Sequence, residues 1–286
     1  MKVRWNLKSR RIGLIGAAAA VLLGAAAGSA VHGKNQREAE SLAQSVEESI
    51  RAESEAEEAL RESIANQVPE LSDSQTQLLD EIESAVRGKD LEEAARMMAE
   101  HGERLWVLFY DLLDGQPYLY HDGILQKELE GQGLVIRKPT AVYVGNLLDG
   151  KPEGEGTALQ VVELDYPRYD YSSGEWKDGK MNGEGGIGYN YYDGAGDENQ
   201  AAWREGTFVD DRMDGELTYS TTNGTGETST WNMKAEAGKL VIDGQWILDE
   251  EKGLYQLLSN QGNGNAYVVG KEDAESTRFQ NLIPWE

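Results

Sequence analysis

Gly174-Glu175-Trp176-Lys177-Asp178-Gly179-Lys180-Met181-Asn182-Gly183-Glu184-Gly185 is the stretch on which the reading of this chain turns. Gly174 and Trp176 stand two apart, so on an extended strand they share one face. Asp178-Gly179-Lys180 is a turn signal, and Gly183 and Gly185 follow it with the same spacing. The pattern predicts strand, tight turn, strand. With Trp176 as reference, the frame recurs at Ile124, Leu147, Phe208, Trp231 and Trp246, all large and apolar. Seven residues after each reference stands a glycine: Gly131, Gly154, Gly183, Gly215, Gly238 and Gly253. Two residues before each come Asp122, Gly145, Gly174, Gly206, Ser229 and Gly244. The first three frames keep a second glycine, at Gly133, Gly156 and Gly185. Glycine weakens a strand unless a close approach compensates, so the repeated glycines predict neighbouring rings or backbone lying against them. One hairpin alone is marginal, whereas stacked hairpins bury a continuous aromatic row.

These units resemble the MORN repeat (membrane occupation and recognition nexus). Tyr143, Gly145, Leu147, Gly150-Lys151, Gly154 and Gly156 follow its pattern except at the tryptophan. Gly174, Trp176, Gly179, Lys180, Gly183 and Gly185 follow it except at the tyrosine, where Ser172 stands beside Tyr171. Frames at Phe208, Trp231 and Trp246 keep fewer positions, and the references are spaced by 23, 29, 32, 23 and 15 residues. The longer spacings predict lengthened hairpin loops near Tyr166–Tyr171 and Tyr191–Asn199. The resemblance implies an elongated sheet of hairpins and a non-enzymatic module for protein–protein or membrane-proximal contact.

Composition sets the boundaries. Of the 33 glycines, 26 follow residue 114, as do 12 of the 13 tyrosines, so the mainly β part runs over 115–286. The net charge of −24 divides into +5 over 1–31, −13 over 32–114 and −16 over 115–286. Such a body repels phosphate backbones, which argues against nucleic-acid binding, and it disfavours anionic lipid headgroups. There is no cysteine, which excludes disulfides and thiol chemistry.

Residues 1–11 carry Lys2, Arg4, Lys8, Arg10 and Arg11 with no acid, and residues 12–31 carry no charge. Twenty residues make a helix of about 30 Å, enough to cross a hydrocarbon core. The cationic flank predicts a cytoplasmic N-terminus and a body outside the membrane. Gly28-Ser29-Ala30 keeps a cleaved signal peptide, and so secretion, as the alternative. An exported, Ala/Gly-anchored, cysteine-free chain points to a bacterial envelope.

Residues 32–69 read as an acidic helical stalk, with Leu42, Val46, Ile50, Leu60 and Ile64 on one stripe that Glu53 and Glu57 interrupt. Residues 70–114 read as a helical module. Ser72 or Asp73 caps a first helix bearing Leu78, Leu79, Ile82 and Val86; Asp90 with Glu93 opens a second bearing Leu91, Ala94, Ala95 and Met98. Leu105 to Leu113 form a third apolar segment, expected to close the bare end of the sheet.

No catalytic constellation stands out. His32, His101 and His121 have no nucleophile at a recognisable spacing, and there is no G-x-S-x-G elbow or P-loop. No cofactor or metal is expected, since the acidic run Asp193–Asn199 does not fit a calcium loop and reads as a solvated hairpin tip. Tyr169, Tyr171, Tyr189, Tyr191 and Tyr192 are the candidate binding residues, because tyrosine offers rigid amphipathic contact area. Alternate members of that set would instead belong to the core. The expected function is a membrane-anchored interaction or scaffolding module with a protein partner at the cell envelope. A cell-wall or glycan-binding protein, or an accessory subunit of an enzyme, is the alternative.

Overall fold

A computed structural model describes residues 41, 44–56, 68–162, 164, 166–192 and 200–285. The chain divides into two compact units, 1–67 and 68–286. In the first, positions 41 and 44–56 are helical. The basic N-terminus, the uncharged stretch 12–31 and the remainder of the stalk up to residue 67 lie outside the described residues. Among the described residues no helix is long and apolar enough to cross a membrane.

The second unit opens with helices α1 (Asp73–Arg87) and α2 (Leu91–Glu100), followed by a single turn α3 (Gly102–Trp106) that runs into a π-helical turn over Val107–Leu112. The cap of α1 is Ser72, whose N–H donates to the Gln75 side chain at 2.9 Å. Asp90 caps α2 by accepting from the Glu93 N–H at 3.3 Å. Leu79, Ile82, Ala94, Ala95, Leu105 and Leu108 are buried in one core with Leu134, Val142, Val144 and Leu159 of the sheet. The helices therefore lie on a face of the sheet, with α1 and α2 against its third to fifth strands. This departs from the expected end cap. A helix pair with a wide apolar stripe buries more against the flat face than a single helix could at an edge.

The sheet has eleven antiparallel strands: β1 (Leu119–His121), β2 (Ile124–Gln126), β3 (Gly131–Lys138), β4 (Ala141–Leu148), β5 (Lys151–Val162), β6 (Arg168–Lys177), β7 (Lys180–Tyr191), β8 (Ala201–Val209), β9 (Arg212–Thr222), β10 (Thr228–Glu236) and β11 (Lys239–Leu240). From β3 to β11 each strand pairs with its sequence neighbours, and β1 and β2 complete the other edge. Four two-residue turns repeat along one side: Asp149-Gly150, Asp178-Gly179, Asp210-Asp211 and Ala237-Gly238, with positive φ at both positions. That is the primed turn that matches strand twist. Each turn is tied to the one before it. Gly179 N–H donates to Pro152 O at 3.0 Å, Asp211 N–H to Met181 O at 3.0 Å, and Gly238 N–H to Met213 O at 2.8 Å.

The strand register separates two kinds of glycine. Leu147, Trp176, Phe208 and Ala235 each precede a turn by two residues, and they face Gly131, Gly154, Gly183 and Gly215 of the preceding strand. Those four glycines have φ between +73° and +124°, so they serve the backbone. Gly133, Gly145, Gly156, Gly174, Gly185 and Gly206 instead pair with one another across six consecutive strands. A Cβ on Gly156 would fall 2.1 Å from the Tyr143 hydroxyl, and one on Gly145 2.4 Å from it. The Trp176 indole N–H donates to Gly156 O at 3.0 Å. This glycine ladder is the bed on which the rings lie.

Three of the six sequence frames are corrected. Ile124 follows the Asp122-Gly123 turn instead of preceding one and is 62% exposed on edge strand β2. Trp231 is buried, yet the position before the turn is Ala235; Trp231 lies one turn's worth of strand earlier, opposite Tyr219. Trp246 stands outside the large sheet, with Gly244 and Gly253 in the turns around a separate three-stranded sheet of β12 (Ile247–Asp249), β13 (Leu254–Leu258) and β14 (Ala266–Gly270).

That small sheet and the tail after it cover the ring face. Tyr143, Trp176, Met181, Phe208, Met213 and Trp231 share a core with Leu257, Val269, Phe279 and Ile283. The tail is stitched to successive turns: Phe279 N–H donates to Gly238 O at 2.7 Å, Met213 N–H to Phe279 O at 3.0 Å, and Asn281 N–H to Asp211 O at 2.7 Å. At its end the Trp285 indole donates to Gly150 O at 3.1 Å, edge-on to Tyr143 at 5.5 Å. The Arg137 guanidinium lies 4.7 Å from the Trp285 ring and donates to the carbonyls of Pro284 and Trp285. Trp285→Ala removes an aromatic pair and a cation–π contact together, an expected loss of about 1–3 kcal/mol. Urea unfolding reads it directly; an unchanged midpoint would mean that the tail end adds nothing.

Candidate functional site

The five candidate tyrosines do not converge on one surface. Alternation along β6 and β7 sends Tyr169 and Tyr171 to the helix side and Tyr189 and Tyr191 to the ring side. Tyr169 and Tyr192 are buried against the helices with ring centroids 6.1 Å apart, and Tyr171 is half-buried beside them. Arg96 fixes this corner: its guanidinium lies 5.2 Å from the Tyr192 ring and donates to Tyr192 O at 2.7 Å. On the other side Tyr189 and Tyr191 are half-buried, edge-to-face at 5.8 Å, with the Arg168 guanidinium 5.0 Å and 5.7 Å from the two rings. Burial pushes Asp170 above the usual carboxylate range despite Arg168, whose Nε lies 2.9 Å from it. Burial likewise raises the phenols of Tyr169, Tyr171 and Tyr189, so none supplies a phenolate near neutral pH. The acidic run 193–199 lies outside the described residues, and among the described residues no group of three or more His, Asp or Glu is placed to hold a metal.

The open surface is elsewhere. Where the helices stop short, a groove of about 650 Å³ runs between the α1–α2 corner and the helix-side face of the sheet. Gly156, Gly174, Gly185 and Gly186 line its floor, and of the four it is Gly186, opposite Ser173, that leaves backbone bare at a helix-side position. Arg87, Lys89 and Leu91 form the wall at the helix corner. Glu155, Glu184 and Glu205 project beside the floor and are exposed. Thr157 and Ser173, opposite each other in β5 and β6, share a hydroxyl hydrogen bond of 2.7 Å. With acceptors along the sheet and donors at the corner, the groove suits a polar, extended ligand.

The Thr157 and Ser173 hydroxyls are engaged with each other, Tyr171 is the third hydroxyl-bearing residue of the groove, and no histidine is among its lining residues. His121 lies on β1, 3.6 Å from Glu83 and 3.4 Å from Asp122, and His101 caps α2. Sequence reasoning missed the groove because it exists only where two helices end over the ladder. The parity of Glu155, Thr157 and Ser173 is legible in the strands, but not which part of that face the helices leave bare.

The residues that floor the groove also carry the comparison with known proteins. Residues 143–158 and 173–186 fit a described repeat. Both stretches match the MORN repeat. They span β4 into β5 and β6 into β7, two hairpins that each carry a pair of ladder glycines and one ring of the Tyr143–Trp176 contact. No curated protein matches the chain. The MORN repeat is a non-catalytic repeat type, in keeping with a binding role.

Proposed function

We propose that this chain is a non-enzymatic scaffolding module, held outside the membrane by residues 12–31, whose open groove takes a protein partner at the cell envelope. The observation that carries the reading is the unequal covering of the sheet. The ring face is sealed by the chain's own tail, while the opposite face keeps a polar groove over the glycine ladder. MORN repeats commonly act as protein- or membrane-interaction modules. The acidic body turns that choice towards protein, since anionic headgroups would be repelled. The five cations before an uncharged stretch of twenty residues support a single crossing with the N-terminus inside.

The test uses the tagged full chain recovered from membranes, compared with a Glu155→Arg/Glu205→Arg variant. Both carboxylates are exposed, so the variant keeps the fold. The expected result is a protein recovered with the wild type and reduced at least tenfold with the variant. Equal recovery by both, or retention on cell-wall polymer with no protein partner, would overturn the reading; the second result would favour the glycan-binding alternative.

A further inference from the structure

Away from the turns, the ring side of the sheet ends in a seam between β7–β9 and β14, and Arg204 of β8 stands in it. Arg204 precedes Phe208 by four residues, the place that Tyr143 holds before Leu147. Tyr143 fills that place with a ring whose hydroxyl donates to Asn146 O at 3.2 Å. Arg204 fills it with a guanidinium 4.6 Å from the Tyr219 ring and 5.5 Å from the Phe279 ring. Two aromatic faces hold that guanidinium, and its Nε is buried without an acceptor. The other half-buried arginines among the described residues all reach oxygen: Arg96 at Tyr192 O, Arg137 at Pro284 O and Trp285 O, Arg168 at Asp170. Arg204 alone of these four has neither a carboxylate nor a carbonyl partner. Three phenols surround it. Burial pushes Tyr189, Tyr219 and Tyr267 up, while the Arg204 charge pulls each of them down, so all three lie within its field and keep their protons at neutral pH. None of these three hydroxyls is hydrogen-bonded among the described residues. Tyr189, Arg204 and Tyr267 are half-buried, so the seam reaches solvent.

We propose that this seam is a second binding site, taking a carboxylate borne on a flat apolar body. A guanidinium held by two rings presents its N–H fork in a fixed direction, and that fork matches a carboxylate. A half-buried donor set without acceptors is unfavourable, and an incoming anion satisfies it. The phenol O–H groups add donors beside the fork, and the rings supply stacking area. The charge count selects the ligand. Arg168, which lies over Tyr189 on the same side, already faces Asp170, so one unpaired guanidinium is left. A monoanionic carboxylate neutralises it, whereas a phosphate dianion would leave a buried charge unpaired in a body that is already acidic. The carboxylate comes from a free organic acid or from the C-terminus of a peptide, which are chemically alike at Arg204. Strand parity puts Arg204 on the face opposite the groove, so the site does not depend on the reading of that groove.

Calorimetric titration of the purified full chain tests this with N-acetylphenylalanine, its amide, phenylacetate and phenylethanol. Both acids are expected to bind, and each neutral counterpart about tenfold more weakly or worse. Arg204→Met keeps an apolar stem between the rings and removes the charge, so it should cut acid binding about tenfold or more. A retained melting transition shows that this loss is not unfolding. Tyr267→Phe keeps the ring, removes one donor and should weaken acid binding severalfold; it decides the site if Arg204→Met does not fold. Binding of neither acid, equal binding of an acid and its neutral counterpart, or undiminished binding by the folded variant would each overturn the proposal. The second of these results would mean apolar adsorption only. Tighter binding of N-acetylphenylalanine than of phenylacetate assigns a peptide chain end, and the reverse a free acid. The groove is tested by protein recovery, so either proposal can fail alone.

Discussion

Trp176→Ala is expected to cost about 3–5 kcal/mol of unfolding free energy, the range for emptying a buried aromatic site. Trp176 is 3% exposed, lies edge-on to Tyr143 at 5.7 Å, and donates its indole N–H to Gly156 O at 3.0 Å. Alanine removes the ring from the middle of the row and leaves the Gly156 carbonyl without that donor. The floor beneath cannot rise to fill the space, since it is glycine backbone held in register on both sides. Collapse must therefore come from Tyr143 or the covering tail, and both are fixed by their own hydrogen bonds. For a unit of this size the loss corresponds to a melting shift of about 6–20 °C. Urea unfolding followed by circular dichroism would measure it, and a loss under about 1 kcal/mol would mean that the ring row does not hold the hairpins together.

How much of this was legible depends on the range of the interactions. The turns Asp149-Gly150 and Asp178-Gly179, their flanking ring positions and both glycine sets are local signals, and the central hairpins follow from them. The same local counting misplaced the frames at Ile124 and Trp231. It sought a large side chain, whereas the repeating position is defined by the turn, and at Ala235 that position carries no ring to find. The tail was invisible for a different reason. Trp285 meets Gly150 and Arg137 across more than a hundred residues of chain, and no periodicity announces such a contact. The tyrosines lie between these cases. Alternation divides Tyr169 and Tyr171 from Tyr189 and Tyr191, but only the placement of the helices decides which pair is buried and where the groove opens.

Gly174→Ala and Gly154→Asn are expected to separate the two glycine sets, although both glycines have positive φ. At Gly154 φ is +73°, and an added Cβ meets nothing within 4 Å. Asparagine tolerates that left-handed region, so the change should cost no more than about 1 kcal/mol. At Gly174 φ is +145°, where any Cβ is strained, and that Cβ would fall 2.4 Å from Glu184 O and 2.5 Å from Gly185 Cα. Both obstacles are backbone of the adjoining strand, so relief requires β6 and β7 to part. Backbone strain of about 1–3 kcal/mol and overpacking of about 1–3 kcal/mol act together there. The expected loss is about 2–5 kcal/mol, and it should open the hairpin at the groove floor first. Hydrogen exchange at the amides of residues 172–187 would show the local opening. Equal stability of the two variants would mean that the ladder is only a run of permissive backbone and not a surface on which strands and rings are seated.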